Sequence, residues 1–563
     1  MAAAARAPGT TAALAALAVV GALATACADP TPPGGACDDV AARPAALSAA
    51  DRKLVGAASP YPADGALRGR DDELRRSVAA RREVAWAAVA RALTAVPFAI
   101  DPPSGVPAEL PRWATWYGAD DLRRLFDRLF RGLDPDAQRA RAPFGDAALD
   151  AAFAWNPTAV DELASWPADR WQAYLDAIDD AAEVHGIGGI PRVTFSPGAA
   201  RHLLASYAPI VACEGQPAPP AFADAPTAGP QRMAHEVVDL AACERRGFGP
   251  YYVGDGERLT AAVAGAGAAA VRVRVGAPPA GDVVDCEGAT CDAAGPGAIY
   301  VEVAAEDAGT FTLDVSYQEA DPTWAPCLGQ PFPLDAAIAK AEWRRAELDL
   351  QVAVHDTSAD GLTALVDDTW GDGQGELDPG PDDIYTVQLP EGGARYRLTG
   401  LHLMTKELDH WLWITLWWSP EPDTDFGADR PAAIAALPGP WAHYKMCAVT
   451  WFTEGDDDPG GGAADPTLAE ALAAVHERAG PSFCSNPYLE QGAGNARTNC
   501  VGCHQHGGTT IANEDILTDE ATYPGNGRLQ VRNNFPADYS WQTSRGGLGR
   551  MFLDEIEYWT PAP

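Results

Sequence analysis

At 563 residues the chain is too long for one ordinary hydrophobic core, and its 47% hydrophobic content suits a globular protein of several domains. Asp and Glu number 78 against 41 Lys and Arg, a formal net charge of -37. Nucleic acid and anionic membrane surfaces are therefore poor partners.

The N-terminal stretch Met1–Ala26 (residues 1–26) has the layout of a secretory signal. Arg6 supplies the positive end, and Ala12–Ala24 is an apolar run too short to span a bilayer comfortably. Its end, Leu23-Ala24-Thr25-Ala26-Cys27, resembles a bacterial lipobox, in which the cysteine is lipidated and becomes the mature N-terminus. A plainly cleaved signal is the alternative. Residues 27–44, rich in Pro and Gly, suit a flexible tether. The resemblance implies a protein of the cell envelope, held on the periplasmic or outer surface of a bacterial membrane by a lipid anchor at Cys27.

The expected fold class is α+β and multidomain, with three parts. Residues 45–245 read as mainly helical. Leu122, Leu125, Phe126, Leu129, Phe130 and Leu133 recur at helical spacing, as do Trp171, Tyr174, Leu175 and Ile178, and Leu74–Val96 is a further helix candidate. The aromatic trio Trp113, Trp116 and Tyr117 suits packing into that core rather than a ligand platform. Residues 246–320 change texture. Leu259–Val263, Val271–Val275, Ile299–Val303 and Phe311–Tyr317 are short alternating runs between Gly- and Pro-rich turns, the pattern of a small antiparallel β-sandwich.

Residues 321–563 form the third part, of mixed β and α character. Leu334–Leu350 is compatible with a helix. The acidic, glycine-rich passage 367–383 can offer carboxylates to calcium but lacks EF-hand spacing, so a solvated loop is the simpler reading. Arg395–Met404 and His410–Trp418 carry the strongest β signal. Along the second, Trp411, Trp413, Thr415 and Trp417 share one face and Leu412, Ile414, Leu416 and Trp418 the other. Both faces are apolar, which requires a strand covered on both sides. Trp441–Phe452 reads as another strand, and Pro466–Ala479 as a helix stopped by Gly480-Pro481.

Near the end lies Cys500-Val501-Gly502-Cys503-His504. This Cys-x-x-Cys-His pattern places two thiols for thioether links to a porphyrin edge and a histidine to ligate the iron. It resembles the haem site of the cytochrome c superfamily, a resemblance covering about the last hundred residues. It implies one covalent haem c on Cys500 and Cys503, with His504 on the iron. The helix 466–479 would correspond to the one that precedes the motif, and Met551, in a glycine-rich run before a short helix at Phe552–Trp559, to the second ligand. His402, His443 and His506 are the histidine alternatives for that position, and an open iron is the third. Arg497 and Gln505 are near enough in sequence to meet a propionate. The implied function is electron transfer with a redox partner protein that the sequence does not identify. An oxidoreductase or peroxidase with an open iron, and a structural lipoprotein whose cysteines serve a disulfide or zinc, are the competing readings.

The chain holds eleven cysteines. Setting aside Cys27, Cys500 and Cys503 leaves an even number, as an exported disulfide-bonded protein requires. Proximity suggests Cys286–Cys291, Cys213–Cys243 and Cys447–Cys484, with Cys37–Cys327 remaining.

Overall fold

The computed structural model describes residues 58–97, 109–154, 190–214, 231–318 and 327–560, less short segments within the last two spans, the longest being 509–536. The expected signal, Cys27 with its expected lipid, the expected tether, the helix around Trp171 and Arg497 lie outside the described residues. Among the described residues no helix is long and apolar enough to cross a membrane.

The molecule is mixed α and β, and one antiparallel sheet organises it. In chain order its strands are β1 (Tyr117–Gly118), β2 (Ile190–Phe195), β11 (Ala337–Arg345), β12 (Thr386–Gln388), β13 (Arg395–Thr405), β14 (Leu412–Trp418) and β15 (Tyr444–Val449). In space the order is β15-β14-β13-β11-β2-β1, and β12 also pairs with β13. Strands 395–405 and 412–418 lie where the sequence predicts them, and every residue of β14 is buried, as its two apolar faces require. β11 replaces the helix expected over Leu334–Leu350. Its alanines favour a helix in isolation, but pairing with β2 on one edge and β13 on the other decides the outcome.

This sheet crosses the boundary expected near residue 320: β1 and β2 come from the N-terminal region and the remaining strands from the C-terminal one. Between β2 and β11 the chain makes α3 (Pro197–Ala205) and α4 (Tyr207–Glu214), then leaves the sheet to build the sandwich. The sandwich has eight strands, β3 to β10, spanning Gln231–Gln318 in two four-stranded antiparallel sheets. It therefore starts earlier than the expected residue 246. It is an insertion, and a disulfide from Cys213 at the end of α4 to Cys327 closes its base, with Cα atoms 5.4 Å apart.

That bond corrects two expected pairings, Cys213–Cys243 and Cys37–Cys327. Cys243 is an exposed thiol in the turn between β3 (Gln231–Leu240) and β4 (Arg245–Val253), with φ +67°. Nearness in sequence misled here because the inserted domain returns the chain to its starting point. Cys447–Cys484 forms as expected. Cys291 is disulfide-bonded, and Cys286 lies outside the described residues.

Helices cover the sheet and its flank. α1 (Val78–Leu93) is capped by Ser77, whose hydroxyl accepts from the Ala80 amide. From α1 the buried Arg82 donates to both carboxylate oxygens of Asp429 and to the carbonyls of Met446 and Phe426, all at 2.6–2.7 Å. α2 (Ala119–Arg131) buries the predicted stripe Leu122, Leu125, Phe126, Leu129 and Phe130. The aromatic trio is core: Trp116 packs on Tyr61 and Trp113 on Trp343. α5 (Ala359–Asp367) and α6 (Pro466–Ala479) pack on each other, and α8 (Leu548–Trp559) returns to the N-terminal helices, where Phe552 meets Phe126 at 4.5 Å between ring centroids. A Cβ at Gly549 would lie 3.1 Å from the Ile210 carbonyl, so glycine permits the close crossing of α8 on α4.

In the acidic passage, Asp378 forms an ion pair with Arg397. Residues 368–373 of that passage lie outside the described residues.

Candidate haem-binding site

Sheet register places the site. Lys340, His402 and Thr415 are direct partners across β11, β13 and β14, and Ile338, Met404 and Trp413 are the next row. Residues two apart on a strand share a face, so both rows point the same way. Residues 483–490 and 498–504 lie over this face. The Cys447–Cys484 disulfide ties them to β15. Asn486 donates to the Thr415 hydroxyl at 2.7 Å and the Leu416 carbonyl at 2.9 Å. A Cβ at Gly400 would come within 3.0 Å of the Asn486 amide, so the small residue lets the segment approach.

The Cys-x-x-Cys-His motif forms one short helix, α7 (Cys500–His504). Its N-cap is Asn499, whose side-chain oxygen accepts from the Gly502 amide at 2.9 Å. The same side chain donates to the Trp451 carbonyl at 3.0 Å and the Phe452 carbonyl at 3.2 Å. One residue thus closes the helix end and pins it beside the end of β15.

Cys500, Cys503 and His504 line one cavity of about 360 Å³ with His402, Met404, Trp413, Glu490 and Trp541. The cysteines are three residues apart on one helical turn, and neither is in a disulfide. Burial first, and Glu490 next, push the Cys500 thiol well above its ordinary value. The ring of His504 packs against Trp413 at 4.7 Å between centroids.

His504 Nδ1 lies 2.9 Å from the Tyr539 carbonyl oxygen. A carbonyl can only accept, so Nδ1 carries the proton and Nε2 keeps its lone pair. Burial pushes the pKa of His504 down to about 4, against the raising effect of this bond, so the ring is neutral at neutral pH. A neutral imidazole fixed through its far nitrogen is the form that ligates a metal.

The Tyr539 carbonyl is itself held by a constrained turn. Asp538 and Tyr539 both have positive φ, +44° and +69°. Non-glycine residues rarely adopt this conformation, and it persists only where neighbours over-determine it. Here Lys406 donates to Asp538 Oδ1 at 2.7 Å, the Phe332 amide to Oδ2 at 2.7 Å, and Trp411 Nε1 to the Asp538 carbonyl at 3.1 Å. Tyr539 also bonds through its hydroxyl to His410 Nδ1.

Three expected residues, Cys500, Cys503 and His504, therefore meet on one cavity, and His402 joins them. Met551 does not line it. It lies on the buried face of α8 with Leu548, Phe552 and Ile556, the apolar stripe that packs toward α2 and α4. His443 and His506 do not line the cavity either. Gln505 donates to the Gly502 carbonyl at 3.2 Å, within its own turn. Sequence reasoning missed Asn499, Lys340, Glu490, Trp413 and the Tyr539 carbonyl. Only Asn499, a good N-cap residue just before Cys500, carried a readable signal.

The donor set fits a haem. Two thiols on one turn, a neutral imidazole whose Nε2 keeps its lone pair and a cavity lined by both apolar and polar side chains suit covalent attachment and ligation. Among the described residues no group of three or more His, Cys, Asp or Glu is placed to hold a bare metal ion. A porphyrin brings four nitrogens of its own, so a haem site needs no such group. No family model matches the chain, and no curated protein or solved structure matches it.

Proposed function

We propose that the chain is an exported c-type cytochrome lipoprotein that holds one haem covalently and transfers electrons to or from a redox partner protein. Cys500 and Cys503 would carry the thioether links and His504 the iron. Lys340, the one Lys or Arg among the residues lining the cavity, would meet the acidic edge of the group. Bound haem supplies one-electron exchange. The chain's own residues shield it, hold it by the α7 turn and fix the tautomer of its ligand. The observation that carries the reading is the bond from His504 Nδ1 to the Tyr539 carbonyl, beside two thiols on the same cavity. Export and a lipid anchor at Cys27 belong to the same reading, since covalent haem attachment in bacteria takes place outside the cytoplasm.

The test is expression of the full chain in a host with haem-maturation machinery. A covalent c-type spectrum that survives denaturation is expected, together with a mass gain of one haem. It should vanish in the Cys500→Ala/Cys503→Ala variant. A colourless wild-type protein would overturn the proposal. Mass analysis of the mature N-terminus tests lipidation at Cys27, which an unmodified N-terminus elsewhere refutes.

A further inference from the structure

We infer that His402 is the second axial ligand, so that the iron is held between two imidazoles, one from the C-terminal segment and one from the central sheet. This inference rests on the haem reading above.

His402 lies on the interior strand β13, between β11 and β14. It lines the same cavity as Cys500, Cys503 and His504. Its Nε2 is buried and makes no hydrogen bond among the described residues. Glu490 Oε1 is the nearby carboxylate, at 3.6 Å, beyond hydrogen-bonding distance. Leaving such a polar atom without a partner costs about 1–3 kcal/mol, and native proteins seldom tolerate it without a reason. An iron at the cavity supplies the reason: the nitrogen is kept for a metal bond.

The other candidate groups are engaged elsewhere. Met551 packs in the α8 interface. His410 bonds to the Tyr539 hydroxyl through Nδ1. His443 stands 4.0 Å from Asp383, away from the cavity. Met404, two residues along β13 on the same face, also lines the cavity, but a thioether needs no polar partner and sits comfortably among apolar walls. It is the rival that an experiment must separate.

Placement on the sheet has a functional consequence. A strand paired on both edges holds its side chain more rigidly than a loop does, so the second ligand would not swing away when the iron changes oxidation state. Replacing a thioether by a second imidazole lowers the reduction potential, placing this protein among the low-potential carriers.

The decisive measurement uses the wild-type holoprotein. The near-infrared magnetic circular dichroism of the oxidised form reports the axial pair, and the bis-imidazole band is expected. The reduced form should not bind carbon monoxide rapidly. In Met404→Leu and Met551→Leu the spectrum should stay unchanged. In His402→Ala the iron should become high-spin and bind carbon monoxide, and in the bulkier His402→Met the potential should rise. An imidazole–thioether band in the wild type, or a His402→Ala protein that keeps its low-spin spectrum, overturns the inference and leaves the haem reading intact. Absence of covalent haem from the wild type sinks both.

Discussion

The two described disulfides are expected to stabilise the protein alike but to act on the site differently. Cys447–Cys484 closes a loop of sequence separation 37, and Cys213–Cys327 one of 114. On the chain-entropy model these are worth about 4 and about 5 kcal/mol respectively. The weak dependence on length makes the two double-alanine variants a matched pair. Their locations are not matched. Cys213–Cys327 closes the base of the inserted sandwich. Cys447–Cys484 joins β15 to the segment that carries α7, which is also held by the Asn486 and Tyr488 hydrogen bonds to β14, the Asn499 bonds just past β15 and the packing of His504 on Trp413. Removing Cys447–Cys484 should therefore lower haem content and expose residues 483–490 and 498–508 to limited proteolysis, while Cys213→Ala/Cys327→Ala keeps both near wild type. Thermal unfolding measures the shared loss, and haem-to-protein ratio with protease mapping measures the difference. Equal haem loss in the two variants, or greater loss in Cys213→Ala/Cys327→Ala, would refute the reasoning.

Arg82→Met removes a buried guanidinium from two carbonyls and the Asp429 carboxylate, and should cost about 3–5 kcal/mol; adding Asp429→Asn should recover part of it, a coupling that denaturant titration of the four proteins of the cycle resolves. Asn499→Ala loses a helix cap and the donor to two carbonyls, about 2–3 kcal/mol together, with haem incorporation falling as α7 loosens. Asp538→Ala strips Lys406 of its buried partner and should cost about 3–5 kcal/mol, and it should also disturb His504, whose Nδ1 resonance in the NMR spectrum would lose its hydrogen-bonded shift. Asp71 gives the pH dependence. Burial first, then Asp409 and Asp72, raise its pKa from 3.8 to about 6. Between those values the folded protein holds a proton that the unfolded chain releases, so stability falls as pH rises through this window. The full shift corresponds to about 3 kcal/mol, and solvent screening of this half-buried group reduces it to about 1. Asp71→Asn should flatten the dependence, and melting temperatures from pH 4 to 7 that run parallel for the two proteins would contradict it.

Much of the β-structure was legible because its signal is local. The apolar two-residue period of 412–418 is visible in seven residues, and it carries the requirement that both faces be covered. The strand 337–345 was not legible, because Ala337, Ala339 and Ala341 prefer a helix locally and become a strand only between two partners drawn from distant parts of the chain. For the same reason the sandwich looked like a domain in a row rather than an insertion: only the pairing of 190–195 with 337–345 shows that the chain returns. At the site, Cys500, Cys503 and His504 announce themselves by spacing. The Tyr539 carbonyl cannot, since a backbone acceptor has no side-chain signature. The two-residue period puts His402 on one face with Met404, but its unbonded nitrogen depends on the register of three strands.

The two sides of the cavity differ in how they are held. His402, Met404 and Trp413 stand on strands paired on both edges, so they take position when the sheet folds. Cys500, Cys503 and His504 stand on a five-residue helix that has too few backbone bonds to persist alone. Their position comes from the Asn499 cap, the Cys447–Cys484 bond and a left-handed turn at Asp538 that needs Lys406, Phe332 and Trp411 already in place. The motif's position is therefore set by contacts with the sheet and its neighbours rather than by its own helix. On the proposed function, an enzyme attaching haem to Cys500 and Cys503 would need the motif accessible, and a short helix held by a few contacts would meet that need without opening the core. In the folded protein the bond to the Tyr539 carbonyl fixes the His504 imidazole, on the same cavity as the strand face that carries His402.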